Sequence, residues 1–136
     1  MSPDVHLRVA GALQLLIAAA HLAFPAALHW EDELARLSPL NRQLFHVHTL
    51  FVCMVLLLLG ALSLFAADAL STPTPLARLV TAGIAAFWAL RLYCQWFVFA
   101  PGLWRGNRAR TAIHLLLTLL WSYFTLVYTW ARVALG

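Results

Sequence analysis

Six residues in this chain carry side chains able to do chemistry inside an otherwise apolar sequence: His21, His46, His48, Arg91, Gln95 and His114. Neutral imidazole ligates haem iron, zinc and copper, and it exchanges hydrogen bonds with quinone oxygens. A guanidinium holds anions and carbonyl oxygens through a fork of N–H donors. Read together, the six form a cofactor-binding set. His21, His46 and His114 are candidate metal ligands that leave one position open. Alternatively, His46 and His114 are the two axial ligands of a haem, with Arg91 beside a propionate. Gln95 would orient the bound group by a hydrogen bond. His48 lies about 200° round the helix from His46, so both cannot face one core. His46 is preferred because it shares a stripe with Cys53 and Gly60, and His48 suits only a site at the helix end.

The elements that must position these residues follow from composition. The chain has 136 residues, of which 63% are hydrophobic and 10% charged. Soluble domains run at about 45–50% and about 25%. One domain of this length cannot bury so much apolar surface in water, so residues 1–136 read as a single transmembrane domain. All nine basic residues are Arg. The lack of Lys excludes a Schiff-base enzyme, a retinal protein and a P-loop nucleotide binder. Nine Arg against five acids would suit nucleic acid, but these Arg residues sit in short loops between apolar runs, where they act as topology signals. Cys53 and Cys94 are far apart and make no C-x-x-C motif. Met-Ser-Pro-Asp provides no basic region ahead of the first apolar run, so a cleaved signal peptide is not expected.

Four apolar stretches, near 5–28, 41–67, 75–99 and 109–134, are each long enough to cross ~30 Å of hydrocarbon as a helix. None alternates as barrel strands must. Ser38-Pro39 and Thr74-Pro75 place a capping hydroxyl before a proline suited to the first helical turn, and Asn107 after Gly106 can cap the last helix. Trp30, Leu34 and Leu37 recur at helical spacing in an acidic segment, which reads as one short interfacial helix. The expected fold is an all-α, integral membrane, antiparallel four-helix bundle.

Each span carries a stripe of polar and small residues, the kind that transmembrane helices turn towards one another. The stripes run Gly11, Gln14, Ala18, His21, Pro25 in the first helix and His46, Thr49, Cys53, Leu56, Gly60, Ser63, Ala67 in the second. They run Thr81, Ile84, Trp88, Arg91, Gln95 in the third and His114, Thr118, Ser122, Thr125, Thr129, Arg132 in the fourth. Because the helices alternate in direction, all six chemical residues fall in the same leaflet. His21 and Arg91 lie about 5–8 Å from the midplane at 1.5 Å per residue. An Arg there costs about 2.5–3.5 kcal/mol on insertion scales and marks function by default. No Asp or Glu falls within a span, so Arg91 needs an anionic or carbonyl-bearing ligand, the acidic loop Glu31-Asp32-Glu33, or a route to the interface. Pro25 removes the hydrogen bond to the carbonyl of His21 and either bends or ends the first helix. Trp30, Trp96 and Trp104, and at the other face Tyr128 and Trp130, read as interfacial belts, with Trp88 and Trp121 deeper.

Arg36, Arg42, Arg105, Arg108 and Arg110 flank the first and third loops, against Arg8, Arg78 and Arg132 on the opposite side. The positive-inside rule puts the first group in the cytoplasm and both termini outside. The segments Asn41–His48 and Phe87–Phe97 resemble those of small four-helix bacterial membrane proteins, which implies a bacterial inner membrane and no particular activity. Similarity to four-helix b-type cytochromes is one of architecture. No motif for catalysis is present. Three functions remain open. The first is a redox protein holding haem or a transition metal, and the second a binder or enzyme for a quinone or anionic lipid entering from the bilayer. The third is an accessory subunit assembled with other membrane subunits.

Overall fold

A computed structural model describes residues 2–136. The described chain is helical throughout, in the order α1 (Pro3–Ala20), α2 (Phe24–Ala27), α3 (Trp30–Leu34), α4 (Pro39–Phe65), α5 (Ala67–Ser71), α6 (Pro75–Phe97) and α7 (Arg108–Ala134). A single 3-10 turn, Pro101–Leu103, separates the last two. The starts of the long helices follow local chemistry. Ser38 accepts a hydrogen bond from the Asn41 amide, Thr74 from that of Ala77, and Asn107 from that of Arg110. Pro39 and Pro75 occupy the first turn, where the missing N–H costs nothing. Gly106 takes φ +85°, open to glycine without penalty.

Three helices, α4, α6 and α7, are long and apolar enough to cross a membrane. The expectation of four spans is corrected at the first. That stretch does not run to residue 28 as one helix, because α1 stops at Ala20 and the chain turns through residues 21–23 before Pro25 opens α2. Pro25 therefore ends the helical run. Its imide nitrogen cannot donate to the carbonyl of His21. α1 is also only 18 residues long and carries Asp4, His6, Arg8 and Gln14. The short helix read from Trp30 to Leu37 is present as α3 but closes at Leu34. Leu34 is buried and Trp30 meets Phe45 edge to face at 4.9 Å.

α1 packs against α4 and α7, α6 packs against α7, and α5 closes on α1 and α6. The α1–α4 seam has no room for a side chain at its crossing. A Cβ on Gly11 would stand 2.6 Å from the Leu64 nitrogen and 2.7 Å from the Gly60 oxygen, both backbone atoms. One step along, Tyr128 of α7 ties the three helices together. Its hydroxyl takes a hydrogen bond from Gln14 Nε2 at 2.7 Å and shares one with Ser63 Oγ at 2.5 Å, and none of the three residues is exposed. Gln14 Oε1 is buried without a partner. At the rim, Arg8 bonds the Leu64 carbonyl and pairs with Asp68 at 2.8 Å.

Length decides what this anchoring leaves open. At 1.5 Å per residue, α1 reaches about 27 Å and α4 about 40 Å. The buried residues of α4, Leu56, Gly60 and Ser63, accordingly all lie in its second half. The first half has no neighbour from α1 beyond Ala20.

The stripe expected for the last helix is rotated in the structure. Trp121, Phe124, Val127, Tyr128 and Ala131 face the core. Thr118, Ser122 and Thr125 instead donate to the carbonyls four residues earlier, so each is satisfied within its own helix. Tyr128 is thus a core residue, not part of an interfacial belt. We expect Tyr128→Phe to lower the unfolding free energy by about 1–3 kcal/mol, because Gln14 and Ser63 lose their shared partner while buried. Thr125→Val should change it little. Thermal unfolding in mild detergent checks both.

Candidate functional site

Beyond the Tyr128 anchor, towards the end where α1 has stopped, α6 and α7 build a second polar network between two helices long and apolar enough to cross a membrane. Gln95 is its centre, buried to 4% exposure. Its Oε1 accepts from Arg91 Nη1 at 3.2 Å and from Trp121 Nε1 at 3.3 Å. Its Nε2 lies 2.8 Å from His114 Nδ1. Both groups at Oε1 can only donate, which fixes the amide orientation and leaves Nε2 as donor to His114. His114 Nδ1 therefore accepts, and the neutral ring carries its proton on Nε2. Trp104 lies flat on that ring, with centroids 3.9 Å apart and planes at 8°. Thr111 Oγ1 holds Trp104 there through its carbonyl at 2.8 Å.

Arg91 is half-buried and has no acidic partner. Among the described residues the one ion pair is Arg8–Asp68, and Glu31, Asp32 and Glu33 make none with Arg91. Its guanidinium carbon sits 4.9 Å from the Trp121 ring centre and 5.5 Å from that of Phe99. Aromatic faces attract a cation most strongly where water is excluded. Trp121 in turn stacks on Trp88 at 5.0 Å with the planes 16° apart. Arg91, Trp88 and Trp121 form one wall of a cavity of about 240 Å³. The lining also takes Ile17, His21 and Phe24 from the end of α1 and start of α2, Val52 and Leu56 from α4, and Leu117 from α7. Val52 and Phe87, on α4 and α6, are its exposed rim. These two helices share no packed seam.

The structure brings four of the six residues of the sequence-read set to this region. Arg91 and His21 line the cavity, and Gln95 and His114 stand behind Arg91. His46 and His48 are exposed on α4. His46 lines a separate hollow with Trp30, Glu31 and Arg42. His48 spends its Nδ1 on the Leu44 carbonyl. His21, His46 and His114 consequently stand in three different surroundings, and among the described residues no three His, Cys, Asp or Glu side chains converge as metal ligands. Cys53 and Cys94 are free and half-buried.

Sequence reasoning missed the network roles of Trp104 and Tyr128, which read as belt residues, and of Trp121, which read only as lying deeper. The last two were within reach: Trp121, Phe124 and Tyr128 repeat at three- and four-residue spacing, an aromatic stripe as regular as the hydroxyl one. Trp104 sits in a loop, where no periodicity operates. Comparison with known proteins adds no relative, since no family model, no curated protein and no solved structure matches the chain.

Removal of the Gln95 amide should strand three groups at once. We expect Gln95→Leu to destabilise the protein by about 1–3 kcal/mol and to abolish the fixed His114 tautomer, visible as a change in its ring ¹⁵N resonances. His46→Ala, at an exposed site without a hydrogen bond, should leave unfolding unchanged.

Proposed function

We propose that this is a membrane protein that binds the ring-bearing head of a quinone-type amphiphile in the cavity walled by Arg91, Trp88, Trp121 and His21. The observation that carries the reading is Arg91: a guanidinium within a membrane-spanning helix, without an acidic partner, held by Gln95 and Trp121 at the edge of an apolar cavity. Such a residue offers N–H donors to a carbonyl or anionic oxygen in a medium where water does not compete. The lining favours a flat head over a phosphate, since aromatic and aliphatic side chains outnumber the two polar ones. The exposed rim residues Val52 on α4 and Phe87 on α6 suit entry from the bilayer, with the isoprenoid or acyl tail left among lipids. The proposed setting is a bacterial inner membrane, with the Arg-rich loops cytoplasmic and both termini outside.

Binding is tested with a decyl-tailed benzoquinone titrated into the detergent-solubilised protein, followed by tryptophan emission and by the adduct mass in native mass spectrometry. Arg91→Ala should weaken binding about 10–100-fold, the worth of a charged hydrogen bond of about 1.5–3 kcal/mol. Arg91→Lys should recover part of it. Unchanged affinity in both variants would sink the reading. A haem or metal centre would need His46 and His114, or the three histidines, to meet. A haem or metal mass on protein purified from its own membranes, lost in His46→Ala and His114→Ala, would replace the quinone reading.

One observation favours a second reading, that the chain is a subunit of a larger membrane complex. The first half of α4 buries no residue, though it carries His46 and Thr49. Stoichiometric co-purification with one partner, lost on replacing residues of that face, is the outcome this reading requires.

A further inference from the structure

The two polar groups in the cavity are not equivalent, and their difference selects among ligands. His21 Nδ1 lies 2.8 Å from the Ile17 carbonyl oxygen. A carbonyl only accepts, so the proton of the neutral ring is on Nδ1 and Nε2 is left with a lone pair. Among the described residues His21 makes no other side-chain hydrogen bond. The Phe24 ring, 4.6 Å from it, holds the imidazole in place. Arg91 has the opposite character: five N–H donors, no acceptor, and a single hydrogen bond, to Gln95, within the protein. The lining of one cavity therefore holds both a donor, Arg91, and an acceptor, His21.

Resting on the quinone-type reading above, we infer that the site takes the hydroxyl-bearing, reduced form of its ligand in preference to the oxidised one. A quinol presents an oxygen lone pair to Arg91 and an O–H to His21 Nε2. A quinone has only acceptors. It satisfies Arg91 but sets a lone pair against the lone pair of His21, and a site built to take a hydrogen bond discriminates against the analogue that lacks the donor. The same argument makes His21 the specificity residue and Arg91 the affinity residue. No electron transfer is needed for this selection.

The test compares four decyl-tailed probes on the intact protein in detergent: the benzoquinone, its quinol, and the mono- and dimethyl ethers of that quinol. The ethers keep the ring and its oxygens and remove one or both O–H groups. The quinol and the monomethyl ether should bind about tenfold more tightly than the dimethyl ether and the quinone, the net value of one hydrogen bond. In His21→Phe, which keeps a flat ring and removes the acceptor, all four should bind alike, near the affinity of the dimethyl ether for the wild type. Should all four bind the wild type equally while still depending on Arg91, selection by His21 is wrong and the Arg91 reading stands. If none of the four binds, both are wrong. The ether series needs no substitution, so a misfolded His21 variant does not remove the test.

Discussion

The hydroxyl of Tyr128 is the point at which α1, α4 and α7 are held to a single arrangement. Gln14 and Ser63 reach it from helices far away in sequence, in an interior where neither has water as an alternative partner. A polar group buried without its partner costs about 1–3 kcal/mol, so displacing α1 or α4 breaks one of the two hydrogen bonds and displacing α7 breaks both. The Gly11–Gly60 crossing lets the network close. Only without side chains can the α1 and α4 backbones come near enough for Gln14 to reach Tyr128 and for Ser63 to meet it from the other side. Association of this kind depends on close packing and hydrogen bonds, since lipid offers no hydrophobic gain for bringing apolar helices together.

The open end of the molecule follows from that closed one. With α1 fixed at the Gly11 crossing and ended by the turn before Pro25, the cavity occupies the level at which the helix gives out. His21 is the first residue past α1, which is why it lines the cavity and does not pack into a seam. Across from it, α6 and α7 continue in full length and keep each other covered through Trp88, Trp121 and Phe124. The space between is left to α4, which contributes Val52 and Leu56 there.

Arg91 shows how a membrane helix accommodates a cation without a carboxylate. Its charge is spread over an amide oxygen, the face of Trp121 and the cavity edge. Gln95 is suited to this because an amide is both acceptor and donor. It receives Arg91 and Trp121 on one end and passes a hydrogen bond to His114 from the other. A glutamate there would neutralise the charge and leave less of it for a ligand. Arg8 represents the other solution, an ordinary ion pair with Asp68 at the exposed rim, where it contributes little.

Whatever depends on neighbours along the chain could be read from the residues alone. Ser38, Thr74 and Asn107 cap helices through amides three residues on, and apolar length marks α4, α6 and α7 as long enough to cross a membrane, because caps and hydropathy are properties of contiguous segments. The inward faces of α1 and α6 were also legible: Gly11, Gln14 and Ala18, and Thr81, Ile84, Trp88 and Gln95, recur with the helical period and are buried. The face of α7 was not, because a hydroxyl on a helix can satisfy itself on the carbonyl four residues back and so carries no information about which way it points. Nor could sequence tell that His21 would stand with Arg91 while His46 stood apart. Spacing places residues on faces of their own helices. Which faces meet depends on how the helices are rotated and where they stop, and the Gly11 crossing, the turn before Pro25 and the Tyr128 hydroxyl decide that through contacts between residues scores of positions apart.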